Sequence, residues 1–127
     1  MAAARPSEGA RLSAADVVRF LSTRRFSLSD EKALQVEMFA ALVAGGFDAK
    51  REVTLGVGDI IDFTIDGHIG IEVKIKGAKR AIFHQVERYA AHDSIHELIL
   101  ASNVAMGFPP SINGKPTYFL HLGRAWL

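Results

Sequence analysis

The sequence predicts a single α/β domain. Three observations carry this expectation. Helix-period apolar patterns alternate with short β-branched runs, glycine-containing turns separate the runs, and 127 residues at 49% hydrophobic can bury one core at the commonest domain size. No apolar run approaches the roughly 20 residues that span a bilayer, and the first residues lack the apolar segment of a signal peptide. A cytoplasmic protein with no membrane partner is the resulting expectation.

Residues 1 to 12 are small and polar and read as a flexible tail, with the domain over 13 to 127. Ser13 is a good N-cap, and Ala14 to Thr23 carries Val17, Val18 and Leu21 on one side, a short helix ended by Arg24-Arg25. Ser29 is the expected cap of a second helix with Asp30 and Glu31 in its first turn, where acids suit the helix dipole. Its apolar face is Leu34, Met38, Ala41 and Leu42, Glu37 borders that face, and Gly45-Gly46 stops it. Phe47 to Leu55 reads as the first strand, followed by a Gly56-Val57-Gly58 turn. Ile60 to Ile65 and Ile69 to Ile75 are the next two strands. A helix over Lys79 to His92 has Ile82, Val86 and Tyr89 at core spacing, and Glu97 to Ser102 and Thr117 to Leu122 are further strands around a Pro109-Pro110 and Asn113-Gly114 loop.

The chain holds no cysteine, which excludes disulfides, thiol nucleophiles and thiolate zinc sites. A net charge of +1 is far from the excess of a dedicated nucleic-acid binder. Its distribution is more telling, because Lys74, Lys76, Lys79 and Arg80 follow one another with no acid between them at a strand end and a helix start. Such a stretch suits a phosphate backbone, with helix N–H groups adding anion affinity. Arg24, Arg25 and Lys32 form a second basic group. The histidines at 68, 84, 92, 96 and 121 read as turn, surface or structural residues, since the helix is expected to end between His92 and His96.

Chemistry concentrates between Asp62 and Lys74. Asp66-Gly67-His68 has turn chemistry that tolerates positive φ, and with those three residues as the loop Ile65 pairs with Ile69 and Asp62 lies opposite Glu72. Period-two alternation then puts Asp62, Glu72 and Lys74 on one face, with Asp59 at the opposite parity. Converging carboxylates need a neutralising partner, and a divalent cation supplies it. Hard oxygen donors select Mg²⁺ or Mn²⁺ over zinc. The same alternation also describes the polar face of a half-exposed sheet.

Asp62 followed by Glu72-Val73-Lys74 on the next strand resembles the PD-(D/E)XK nuclease superfamily, with Ile61 where the family name has Pro. Gln85-Val86-Glu87-Arg88-Tyr89 resembles the Q-x-x-x-Y element of its RecB-like members. The resemblance covers roughly residues 30 to 105 and implies the restriction-endonuclease-like α-β-β-β-α-β core, a central mixed sheet flanked by helices, here with an extra N-terminal helix and a final strand. It further implies Mg²⁺-dependent hydrolysis of DNA to 5′-phosphate ends. Asp62, Glu72, the Val73 carbonyl and Glu37 would hold metal. Lys74 would orient water and stabilise the transition state. Gln85 would position Lys74 or a phosphate, and Tyr89 would pack or stack beside it, with Lys76, Lys79, Arg80 and Tyr89 as the residues that meet the DNA. Alternatives are a Holliday-junction-resolvase-like enzyme, for which a homodimer is expected, a catalytically silent binding domain of the same fold, and a structural module whose charges are only a sheet face.

Overall fold

A computed structural model describes residues 12–124. It is an α/β protein with three α-helices packed against a six-stranded, mixed, open sheet. The elements are α1 (Ala14–Ser22), α2 (Glu31–Ala44), β1 (Ala49–Gly56), β2 (Asp59–Ile65), β3 (Ile69–Lys74), α3 (Lys79–Ala90), β4 (Glu97–Ser102), β5 (Ser111–Ile112) and β6 (Lys115–His121), closed by a 3-10 turn over Leu122–Arg124. The expected tail over 1–12 falls outside the described residues except for Leu12, which is buried in the core and so moves the domain boundary forward by one residue.

Local chemistry explains where the helices begin and end. Ser13 caps α1 through a reciprocal box, its hydroxyl accepting from Asp16 N and its own N–H donating to Asp16 Oδ2. In α2 the cap is Asp30 and not Ser29, because the Asp30 carboxylate accepts from Lys32 N at 3.1 Å. A Schellman closure ends α2: Phe47 N donates to Leu42 O, Gly46 N donates to Val43 O, and Gly46 takes φ +86°.

The strand order is β1-β2-β3-β4-β6-β5. β3 runs parallel to β4 and β4 to β6, while the remaining neighbours are antiparallel. The central strands β3 and β4 are covered on both faces, which is why they read as nearly continuous apolar runs. One core lies under α1 and α2, with Leu34, Met38, Phe63, Ile71 and Val73. The other lies under α3, with Ile61, Ile82, Val86, Tyr89, Leu98 and Leu100.

β5 was not expected. The Asn113-Gly114 loop is a tight turn with φ of 52° and 77°, and it folds Ser111–Ile112 back onto Lys115–Pro116. A two-residue strand has no periodicity to read. The β2–β3 turn follows expectation, with Asp66 at φ 53°, Gly67 at 77° and Ile65 paired with Ile69.

β2 departs from simple alternation. Ile61 packs under α3, whereas Phe63 and Ile65, of the same parity, pack under α1 and α2. The paired strand changes face at the matching point, with Ala49 in the first core, Val53 and Leu55 against the second, and Glu52 between them at φ +50°. The change of face falls on Asp62.

Gly70 marks the tightest point of β3. A Cβ there would lie 2.6 Å from Ile61 Cδ1, 3.0 Å from Leu98 Cδ1 and 3.1 Å from Ile95 Cδ1. Gly70→Ala is therefore expected to lower stability by about 1–3 kcal/mol, the usual cost of overpacking a close-packed interior. A urea-unfolding midpoint equal to the parent's would show that the methyl groups yield freely.

Candidate functional site

The β2–β3 backbone ladder runs from Ile65↔Ile69 to Phe63↔Ile71, and side chains carry it further. Val73 N donates to Asp62 Oδ2 at 2.8 Å, and Asp62 N donates to Glu72 Oε1 at 3.2 Å. The two carboxylates are thus held against each other by the opposite strand's amides. Lys74 Nζ stands 3.5 Å from Glu72 Oε2, with the Glu72 side chain 3% exposed and that of Lys74 24% exposed. A solvated sheet face would leave Glu72 in water, so the purely structural reading does not describe this cluster.

Burial, and then the neighbouring Asp62, push the Glu72 carboxyl up to about 8, against the opposing pull of Lys74 and of the Asp62 amide. Asp62 is raised as well, first by burial and further by Glu31, while the Val73 amide and Lys74 counteract. Burial and mutual repulsion thus both favour a proton shared by the pair over two full negative charges.

Glu31 is the acid that sequence reasoning missed. It opens α2, its Oε1 accepts from Ile75 N at 3.3 Å across the end of β3, and its charge is felt at Asp62. Glu37, expected in this role, is held elsewhere. Its carboxylate accepts from Ser27 N at 2.9 Å and Ser27 Oγ at 2.7 Å, bonds that lower its pKa, and it does not join Asp62 and Glu72. Only the packing of α2 across β3 separates the two, and the order of residues within a helix does not reveal it.

On α3, Gln85 Nε2 donates to Tyr89 Oη at 2.8 Å, and Tyr89 Oη donates to Ile60 O at 2.9 Å. Tyr89 is 2% exposed, and its phenol is pushed up to about 12, by burial and then by Glu72. Of packing or stacking, the structure shows packing: no face of the Tyr89 ring reaches solvent, which leaves none for a base, and the hydroxyl ties α3 to β2. Lys76 is exposed on the turn after β3, and Lys79 and Arg80 are exposed in the first turn of α3. Asp59 starts β2 and is engaged by His92 Nε2 at 2.8 Å and Arg88 Nε at 3.1 Å, contacts that lower its pKa and keep it apart from the carboxylate pair.

Among the described residues no group of three His, Asp or Glu side chains is arranged to hold a metal ion. The donor set is instead two touching carboxylates with a surplus of negative charge. That suits Mg²⁺, which commonly takes one or two carboxylates and keeps its remaining positions for water and phosphate. It does not suit a closed, all-protein site. The chain matches no family model, and comparison with curated proteins and with solved structures likewise returns no match.

The raised carboxyls fix a pH dependence. A folded state that holds a proton from the ordinary Glu value of 4.5 up to about 8 binds more protons than the unfolded chain in that window, so stability falls as pH rises through it. The metal-free melting temperature is expected to drop between pH 5 and about 8, and Glu72→Gln should remove most of that drop. A flat profile in the parent would show that the carboxylates are compensated without a proton.

Proposed function

We propose that the chain is a Mg²⁺-dependent nuclease that hydrolyses phosphodiester bonds of DNA, with a restriction-endonuclease-like core formed by α2, β1, β2, β3, α3 and β4. The observation that carries this reading is the buried Glu72 carboxyl with the half-buried Asp62 against it and Lys74 beside it. The order of those elements and the basic turn that follows Lys74 support it further.

Asp62 and Glu72 would hold the cation, with the Val73 carbonyl as the resemblance implies. Glu31 would act at longer range by adding negative charge. When bound, Mg²⁺ or Mn²⁺ would supply Lewis-acid stabilisation of phosphoryl charge and acidify a water. Lys74 is the group that can meet the reacting phosphate, since its ammonium emerges partly into solvent beside the carboxylates. There it orients the attacking water and offsets charge that grows in the transition state. Gln85 acts through Tyr89, whose bond to Ile60 O fixes the strand segment leading into Asp62. Lys76, Lys79 and Arg80 bind the phosphate backbone, a contribution that depends on salt. The products expected from the resemblance are 5′-phosphate ends.

Metal binding and chemistry separate by residue. Asp62→Asn and Glu72→Gln should abolish Mn²⁺ binding in calorimetry and plasmid cleavage together. Lys74→Ala should keep Mn²⁺ binding and lose roughly 10²-fold or more in single-turnover rate, the usual effect of removing one group that stabilises transition-state charge. Cleavage by Lys74→Ala at the parent rate would remove the central residue of this reading.

A second comparison tests the α2 carboxylate. Glu31→Gln should weaken Mn²⁺ binding, and Glu37→Gln should leave it unchanged while loosening the segment at Ser27. The reverse ranking in the same titration would restore Glu37 to the site.

A further inference from the structure

A groove of 390 Å³ lies between the first turns of α3 and the loop after β4, with Lys79, Arg80, Phe83 and His84 on one wall and Met106 and Gly107 on the other. Both walls grow out of the Lys74↔Ser102 pair at the carboxyl ends of two parallel strands. In open α/β sheets that edge is where ligands bind. The volume falls within the range of small-ligand sites, which begins at roughly 300 Å³.

The lining asks for an occupant with two properties. Lys79 and Arg80 are exposed cations, and among the described residues no carboxylate lines the groove, Glu87 lying behind His84, so the occupant is anionic. Phe83 adds an aromatic ring and Met106 a polarizable thioether, so it also has a flat, apolar face. Inorganic phosphate would leave the ring unused. Duplex DNA would leave it unused too, because the faces of its bases are covered by stacking on the neighbouring pairs. A nucleotide in a single strand offers both a base face and a phosphate.

We infer that the groove receives one unpaired nucleotide of the substrate strand, its base against Phe83 and Met106 and its phosphate on Lys79 and Arg80. This rests on the nuclease reading only in taking DNA as the partner. It adds that the DNA is single-stranded beside the carboxylate pair, as at a flap, an overhang or an opened duplex. Ala78, the N-cap of α3, offers no side-chain cap, so the first N–H groups of the helix reinforce the cations.

The test reads binding, in EDTA, by fluorescence anisotropy of the full chain with three labelled probes. These are a single strand, a blunt hairpin with the same number of phosphates, and an abasic strand. The single strand is expected to bind about ten-fold more tightly than either other probe, in line with the contribution of base–aromatic stacking. Phe83→Leu keeps apolar bulk against the core under α3. It should weaken the single strand about ten-fold while leaving hairpin affinity and salt dependence unchanged, and Phe83→Trp should restore binding. Lys79→Ala should weaken all three probes and reduce the salt slope by about one. Equal affinity for single strand and hairpin, equal affinity for single strand and abasic strand, or the same loss on every probe in Phe83→Leu would each overturn the inference. The nuclease reading fails by a different result, the absence of Mg²⁺-dependent cleavage of plasmid DNA, so the two failures are distinguishable.

Discussion

The rest of the structure depends on how a buried carboxyl, Glu72, and the half-buried Asp62 are accommodated where β2 and β3 part. Leaving an ionised carboxylate buried and unpaired costs on the order of several kcal/mol. This chain offsets that cost by exchange: Asp62 accepts from the Val73 amide, Glu72 accepts from the Asp62 amide, and Lys74 stands beside Glu72. The exchange requires the Asp62 side chain to aim along the sheet and not away from it. That is where β2 changes face, sending Ile61 under α3 and Phe63 under α2. The site and the division of the core into two layers are one geometric event.

The mixed sheet then decides what surrounds the cluster. β3 and β4 are parallel, so their carboxyl ends open at the same edge, and the crossover helix α3 must start there. Its first turns bring Lys79, Arg80 and Phe83 to that edge, and its later turns bring Tyr89, with Gln85 bonded to it, within reach of the carboxylates' charge. A single helix thus carries exposed cations at one end and a buried hydrogen-bond chain at the other. Tyr89 shows how these roles separate: its bond to Ile60 O anchors α3 to β2 without any exposed ring.

Short-range chemistry was legible in the sequence, and long-range packing was not. The Asp66-Gly67 turn dictates the pairing of Ile65 with Ile69, and from that pairing Asp62 and Glu72 follow by counting. Ser13, Gly45 and Gly46 mark helix ends through bonds to residues a few positions away. Glu31 could not be told from Glu37 in this way, because the difference lies in which end of α2 crosses β3. The face change at Asp62 was equally hidden. Its counterpart Glu52 takes φ +50° in mid-strand, a conformation for which Glu has no preference, and only the competing demands of two helical layers account for it. Tyr89 was readable in two ways, as a motif residue and as a core residue at the spacing of Ile82 and Val86, and burial favours the second.

Stability alone gives no reason for Glu72. An apolar residue of similar size would fill its position on β3 without requiring Lys74, the Asp62 amide or a proton, and such replacements of buried charges are often neutral or stabilising. A carboxyl at 3% exposure with its pKa pushed up to about 8 is a cost the fold carries at neutral pH. Lys74 does not remove that cost, because it faces Glu72 while Asp62 and Glu31 add further negative charge. What would remove it is a compact divalent charge between Asp62 and Glu72, which replaces the proton and relieves their repulsion in one step. The charge surplus that makes the metal-free cluster unfavourable is thus the property that a bound divalent cation would offset.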